Sequence, residues 1–204
     1  MELTVHREKK GISVLVDPIR DEKAIRRIAG MLKSQRSKRD HLLFILGINT
    51  GLRAIDLLRL KVKDVKDRQV GETVYIIETK TGKQNSITIN KPIQKAVELY
   101  LPERKGPNVD EEPLFCNYYG STPKPLASNT VQKMVKAWTK AANLKGNYGT
   151  HTLRKTFGYQ QRIKYGTGYE LICKRFNHSS PDITMRYLGI QDSEVHAILL
   201  KPIG

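Results

Sequence analysis

Hydrophobic positions along this chain follow two periods, one helical and one alternating. Val131, Met134, Val135, Trp138 and Ala142 share one face at helical spacing, with Lys133, Lys136 and Lys140 on the other. The run from Val131 to Leu144 therefore predicts an amphipathic helix closed near Gly146. Leu42, Leu43, Ile45 and Leu46 predict another, ending near Thr50-Gly51, where glycine can supply a C-terminal cap. Ile55, Leu58 and Leu60 extend the helical spacing over Ala54 to Leu60 and put Arg53 at a helix start. Ahead of these, Asp17-Pro18 with Asp21 and Glu22 predicts a capped helix reaching about Lys33, and Ser34 to Arg39 a connection.

From Gln69 the pattern turns to β-branched and aromatic residues, Val70, Val74, Tyr75, Ile76 and Ile77, and then to the alternating Ser86-Ile87-Thr88-Ile89. Lys80-Thr81-Gly82-Lys83 lies between them, so a β-hairpin is expected with Lys80 at its tip or flank. Pro92 leads into a helix through Leu101, and Pro102 to Pro125 reads as a long proline-rich connection around Leu114-Phe115. It is the one candidate internal boundary, and the domain is not divided there. Thr150 is placed to cap a helix carrying His151, Leu153, Arg154, Phe157 and Ile163, which Gly166 would end. A short helix from Tyr169 to Phe176 follows, Ser180-Pro181 restarts one through Tyr187 to Gly189, and Asp192-Ser193-Glu194 caps a last one with Val195, Ile198 and Leu199 as its apolar face.

Charge narrows the function. The 204 residues carry 36 Lys+Arg against 20 Asp+Glu, a formal net charge of +16. An excess of this size suits a polyanion, because each neutralised phosphate releases counterions. The basic residues are spread along the chain rather than gathered on one amphipathic helix, which favours DNA or RNA over an anionic membrane. The longest apolar stretches fall well short of the roughly 20 residues of a membrane span. The N-terminus lacks the order of a secretory signal, so a cytoplasmic protein is expected. Cys116 and Cys173 lie far apart without metal-ligand spacing and read as buried, reduced thiols.

Taken singly, the candidate chemical residues are weak. His151 and Arg154 stand at i and i+3, where both can address one small anion, but such pairs are usually surface features. Arg53 at a helix start suits a phosphate, and a structural ion pair with Asp56 is the blander reading. Lys80, His178 and Tyr187 each have an ordinary explanation as a solvated turn lysine, a turn histidine and a packed aromatic.

Their ordered set is not weak. GLRAIDLLRL, a lysine on a hairpin, HTLRKTFG, NHSSPDITMRYLGI and the interval from His178 to Tyr187 together resemble the tyrosine recombinase, or phage integrase, family. The resemblance runs from about Asp17 onward. It implies an α+β, mainly α-helical fold, the tyrosine-recombinase catalytic domain with a small antiparallel β-sheet. It implies a tail over 1–16 and that catalytic domain over 17–204. Carried over by position, Tyr187 would be the nucleophile, Arg53, His151 and Arg154 the phosphate clamp, His178 a further hydrogen-bonding member, Lys80 on a mobile hairpin the acid, and Asp56 a supporting residue. The activity implied is site-specific cutting and rejoining of double-stranded DNA through a 3′-phosphotyrosyl link, with no metal and no cofactor. The implied partners are further copies of the chain in a tetramer on DNA and an accessory DNA-bending protein. The chemistry is consistent: two fixed guanidiniums can stabilise charge building on non-bridging oxygens.

Two positions depart from the family pattern. Phe176-Asn177-His178 stands where Leu-Gly-His is usual, and Lys155 where a histidine often follows the second arginine. Asn tolerates the left-handed backbone, so the turn survives the first change. The larger departure is length. About sixteen residues precede the first expected helix, where most members carry a separate DNA-clamping domain, so half the clamp is expected to be missing. A non-catalytic DNA-binding accessory protein and DNA relaxation in the manner of a type IB topoisomerase are the alternatives.

Overall fold

The computed structural model of the chain describes residues 16–119, 122–189 and 196–203. Its centre is a helix that is buried nearly all round, α2 (Arg39–Thr50), in which His41 to Gly47 are all out of solvent. The apolar run Leu42 to Leu46 leaves no polar face to turn outward, so the other helices must surround it. Those are α1 (Glu22–Ser34), α5 (Lys91–Tyr100) and α7 (Thr152–Tyr165), all packed against α2. Burial of Ile28, Leu32, Phe44, Leu46, Ile93, Val131, Val135 and Trp138 makes one continuous core. Between α2 and α5 run two single-turn helices, α3 (Ala54–Leu57) and α4 (Val62–Val65), and the hairpin β1 (Thr73–Ile77) with β2 (Gln84–Thr88). The hairpin pairs Thr73 with Thr88 and Ile77 with Gln84, turning Val74 and Ile87 inward and Tyr75 and Ile77 outward. After α6 (Ser128–Ala141) and α7 come α8 (Tyr169–Phe176) and α9 (Pro181–Leu188).

Several expected boundaries move, each for a local reason. Asp21, not Asp17, caps α1, accepting the Lys23 and Ala24 N–H groups. Asp17 is engaged elsewhere, its carboxylate receiving the Asn147 N–H at 2.9 Å. The helix expected over Ala54 to Leu60 is only four residues long, because the chain turns at Leu58 to enter α4. Position 151, not Thr150, caps α7, without a side-chain cap bond. The proline-rich connection contains a second hairpin, β3 (Cys116–Tyr119) with β4 (Thr122–Pro125). Pro123 and Pro125 argue against a central strand, but a two-stranded ribbon has only edges, where proline is tolerated. Cys116 and Cys173 are both buried, as expected. The expected cap at Asp192 to Glu194, with Val195, lies outside the described residues; residues 196–199 are helical.

Two glycines set the geometry near the chemistry. Gly51 ends α2 at φ 63, a left-handed position that favours glycine. Gly158 lets α7 approach its neighbours closely: a Cβ there would lie 2.7 Å from Leu188 and 2.9 Å from Phe176. A small second core forms at this crossing from Ile172, Phe176 and Leu188, with Phe157 and Tyr187 against it.

Candidate active site

Among the described residues Arg154 is the largest fully buried side chain, and it joins three segments. Its Nη1 donates to the Gly51 carbonyl at 2.7 Å and its Nη2 to the Phe176 carbonyl at 2.6 Å, while its guanidinium lies 4.1 Å from the Phe176 ring centroid. Burial is the main force pulling it down to about 10, and it still carries its charge at neutral pH.

Arg53 emerges from the loop that Gly51 opens. Its partner is Glu78, with Nη1 to Oε2 at 2.6 Å, and not the Asp56 that the i, i+3 spacing suggests. Asp56 is buried and its Oδ1 accepts the Thr79 N–H at 2.8 Å; its Oδ2 is buried without a hydrogen bond. The tie to Thr79 brings Asp56 to the turn carrying Lys80, whose side chain is exposed. Arg53, Lys80 and His151 line one recess of about 340 Å³, with Thr79, Ser128 and Thr150.

Tyr187 enters from the other side on α9. Its hydroxyl is buried and makes no hydrogen bond among the described residues. Phe176, His178 and His151 stand edge-on to its ring at centroid distances of 5.7, 5.4 and 6.4 Å. Burial pushes the phenol up to about 12, and the nearby positive charges of Arg154 and Arg53 act in the opposite direction. Lys155, at the second departure from the family pattern, is buried with its ammonium 5.0 Å from the Tyr187 ring centroid, and burial lowers its pKa. His178 shares a 2.9 Å hydrogen bond through Nδ1 with Thr184, and burial followed by the charges of Arg154 and Arg53 pulls it down to about 4. His151 is also lowered, by loss of water and then by Arg154, Arg53, Lys80 and Lys155. Both shifts favour the neutral imidazole. Asn177, the first departure, caps α8 at φ 51, the left-handed turn expected of it.

The structure thus brings all six expected residues, from five separated stretches of chain, into one cationic cluster. Among the described residues no group of three or more His, Cys, Asp or Glu could hold a metal ion, and no helix is long and apolar enough to cross a membrane.

The sequence profile of the phage integrase family matches residues 20–194. The chain belongs to the phage integrase family. Among its relatives is the probable integrase/recombinase YoeC of Bacillus subtilis, 37% identical over 185 residues, covering 90% of this chain and 94% of YoeC. Tyrosine recombinase XerC of Caldanaerobacter subterraneus is 30% identical over 167 residues, covering 80% of this chain but 45% of XerC. The chain thus spans nearly all of YoeC and about half of XerC. In fold, it is similar to the crystal structure of XerA recombinase, with a TM-score of 0.71 at 20% identity over 92% of this chain and 67% of that one. It is likewise similar to XerH recombinase bound to difH substrate in a pre-cleavage complex, with a TM-score of 0.69 at 22% identity over 91% of this chain and 53% of XerH. As the resemblance implied, the chain is a tyrosine recombinase with that family's catalytic-domain fold.

Within this phage integrase domain, sequence reasoning passed over Glu78, Asn85 and Arg175. Arg175 donates through Nε to the Thr50 carbonyl at 2.7 Å and through Nη1 to Asn85 Oδ1 at 2.7 Å, bracing the loop before Arg53. No local spacing betrays these residues, since Asn85 and Arg175 are 90 positions apart.

Proposed function

We propose that this recombinase cuts and rejoins double-stranded DNA through Tyr187. The observation that carries the reading is a buried tyrosine hydroxyl beside two arginines and two histidines. A scissile phosphate held by Arg53, Arg154 and His151 presents phosphorus to Tyr187 Oη. The Oη–P bond forms as the P–O5′ bond breaks. The phenol proton passes to a neutral histidine, since a hydroxyl held at about 12 is protonated at neutral pH. The two guanidiniums stabilise charge on the non-bridging oxygens. Lys80 protonates the departing 5′-oxygen, leaving a 3′-phosphotyrosyl link whose bond energy supports religation by the reverse steps. Asp56 supports Lys80 through the Thr79 N–H.

Net charge of +16 and the exposed Lys133, Lys136 and Lys140 on α6 supply backbone attraction for the duplex. Relatives of this fold include recombinases bound to DNA, which supports the same partner here, in the cytoplasm. Assembly into a tetramer, with an accessory DNA-bending protein, completes the reading. Ile198, Leu199, Leu200 and Ile203 are exposed and apolar, as a segment that docks on a neighbouring copy requires.

The test is a denaturing gel of the purified chain with a degenerate pool of nicked duplexes. Wild type is expected to leave a covalent protein–DNA adduct and Tyr187→Phe none. Adducts from both would refute the nucleophile, and steep salt-dependent binding without adducts would favour an accessory binding protein. Removing residues 191–204 should weaken DNA-dependent assembly, read by crosslinking or light scattering.

A further inference from the structure

The turn that carries Lys80 is hydrogen-bonded on both sides of the lysine. On one side of the lysine, the Thr79 N–H is held by Asp56 Oδ1 at 2.8 Å. On the other, the Thr81 hydroxyl donates to Glu78 Oε2 at 2.7 Å. That same Oε2 accepts Arg53 Nη1 at 2.6 Å, so one carboxylate oxygen is shared by the clamp arginine and the residue next to Lys80. Its second oxygen accepts Asn85 Nδ2 at 2.7 Å, and Asn85 in turn receives Arg175 Nη1. Two backbone hydrogen bonds close the turn around this carboxylate, Glu78 N–H to the Lys83 carbonyl and Gly82 N–H to the Glu78 carbonyl, each 2.9 Å.

The Glu78 side chain is 0% exposed. Burial works against its charge, but the hydrogen bonds from Thr81, Asn85 and Arg53 outweigh it and hold the carboxyl down at about 2. A buried anion is retained only where its partners are fixed, and here the partners belong to β2, to the Lys80 turn and to the loop before α3.

We propose that Glu78 is a positioning residue that ties the Lys80 turn to Arg53, setting the spacing between the proton donor and the phosphate-binding guanidinium before DNA arrives. The proposal rests on the reading of Lys80 as the group that protonates the leaving oxygen. An acid needed only for that proton becomes dispensable when the leaving atom is sulfur, because a thiolate departs without protonation. Phosphate-charge stabilisation by Arg53 is needed with either leaving atom.

The experiment uses a duplex carrying the site recovered from Tyr187 adducts, made once with an ordinary phosphodiester and once with a 5′-bridging phosphorothiolate at the scissile position. Thr81 is exposed, so Thr81→Val removes the hydroxyl anchor of the Lys80 turn on Glu78, and the 3.3 Å bond that this hydroxyl accepts from the Lys83 N–H, while leaving the core and the Arg53–Glu78 pair in place. It is expected to slow cleavage of the phosphodiester roughly 10- to 100-fold and to recover wild-type rate on the phosphorothiolate. Lys80→Ala should show the same rescue. Glu78→Gln, which also frees Arg53, should be rescued only in part. A Thr81→Val protein that matches wild type on the phosphodiester, or is equally slow on both substrates, overturns the positioning role alone. Wild type that cleaves neither substrate overturns the proposed chemistry, and this role with it.

Discussion

The two halves of the site are built by opposite means. On the α7 to α9 side, Arg154, His178 and Tyr187 are held by packing and by backbone carbonyls, in surroundings dry enough to pull an arginine down to about 10 and push a tyrosine up to about 12. On the hairpin side, Lys80 is exposed and Arg53 and the turn are held by Asp56 and Glu78. The first half couples fold stability to chemistry. The second is expected to tolerate changes at Lys80 with the fold left standing.

The contrast is sharpest in a pair of substitutions. Arg154→Ala leaves the Gly51 and Phe176 carbonyls unpaired, and is expected to cost about 2–4 kcal/mol of stability as well as all cleavage. Lys80→Ala should cost cleavage alone, with stability within about 0.5 kcal/mol of wild type. Chemical denaturation beside adduct formation reads both, and equal destabilisation by the two would erase the distinction.

A smaller effect tests the packing itself. Gly158→Ala would drive a methyl into Leu188 and Phe176, with an expected cost of about 1–3 kcal/mol and a displaced Tyr187. Thermal melting together with the adduct assay should show both losses. A stable variant with full cleavage would mean that the crossing of α7 with α9 does not position Tyr187.

Acid separates the halves in a third way. His178 is pulled from 6.5 to about 4 on folding. Between these values the unfolded chain binds more protons than the folded one, so this contribution to stability is complete above about 6.5 and is lost as pH falls toward 4. From pH 7 to pH 5 the loss should be up to about 2 kcal/mol, and His178→Gln should flatten the slope of melting temperature against pH. An unchanged slope would place the acid sensitivity elsewhere.

Legibility followed the same division. Gly51, Gly166 and the Tyr169 to Phe176 and Pro181 helices were readable, because caps, prolines and helical spacing act within a few residues. The six candidate residues stood out as an ordered set, although each was ambiguous alone, and the fold brings them together. Asp17 failed as a cap because its carboxylate is drawn to Asn147, 130 residues away. The Arg53–Asp56 pair failed for a similar reason: Glu78, 25 residues on, offers Arg53 a buried carboxylate at closer reach. The second hairpin was hidden by prolines that a two-stranded ribbon tolerates.

By itself, the sequence determined which residue types are present in which order, and hence the family, the polyanion-seeking charge and most helix limits. Local propensity and composition are properties of short stretches and survive without a fold. Only the tertiary structure decided what faces what. It buried the Tyr187 hydroxyl, gave both terminal Arg154 nitrogens backbone partners, set Lys155 over the Tyr187 ring and made Glu78 the carboxylate shared by Arg53 and the Lys80 turn. Those outcomes depend on desolvation and on distances between residues tens of positions apart, which no periodicity encodes.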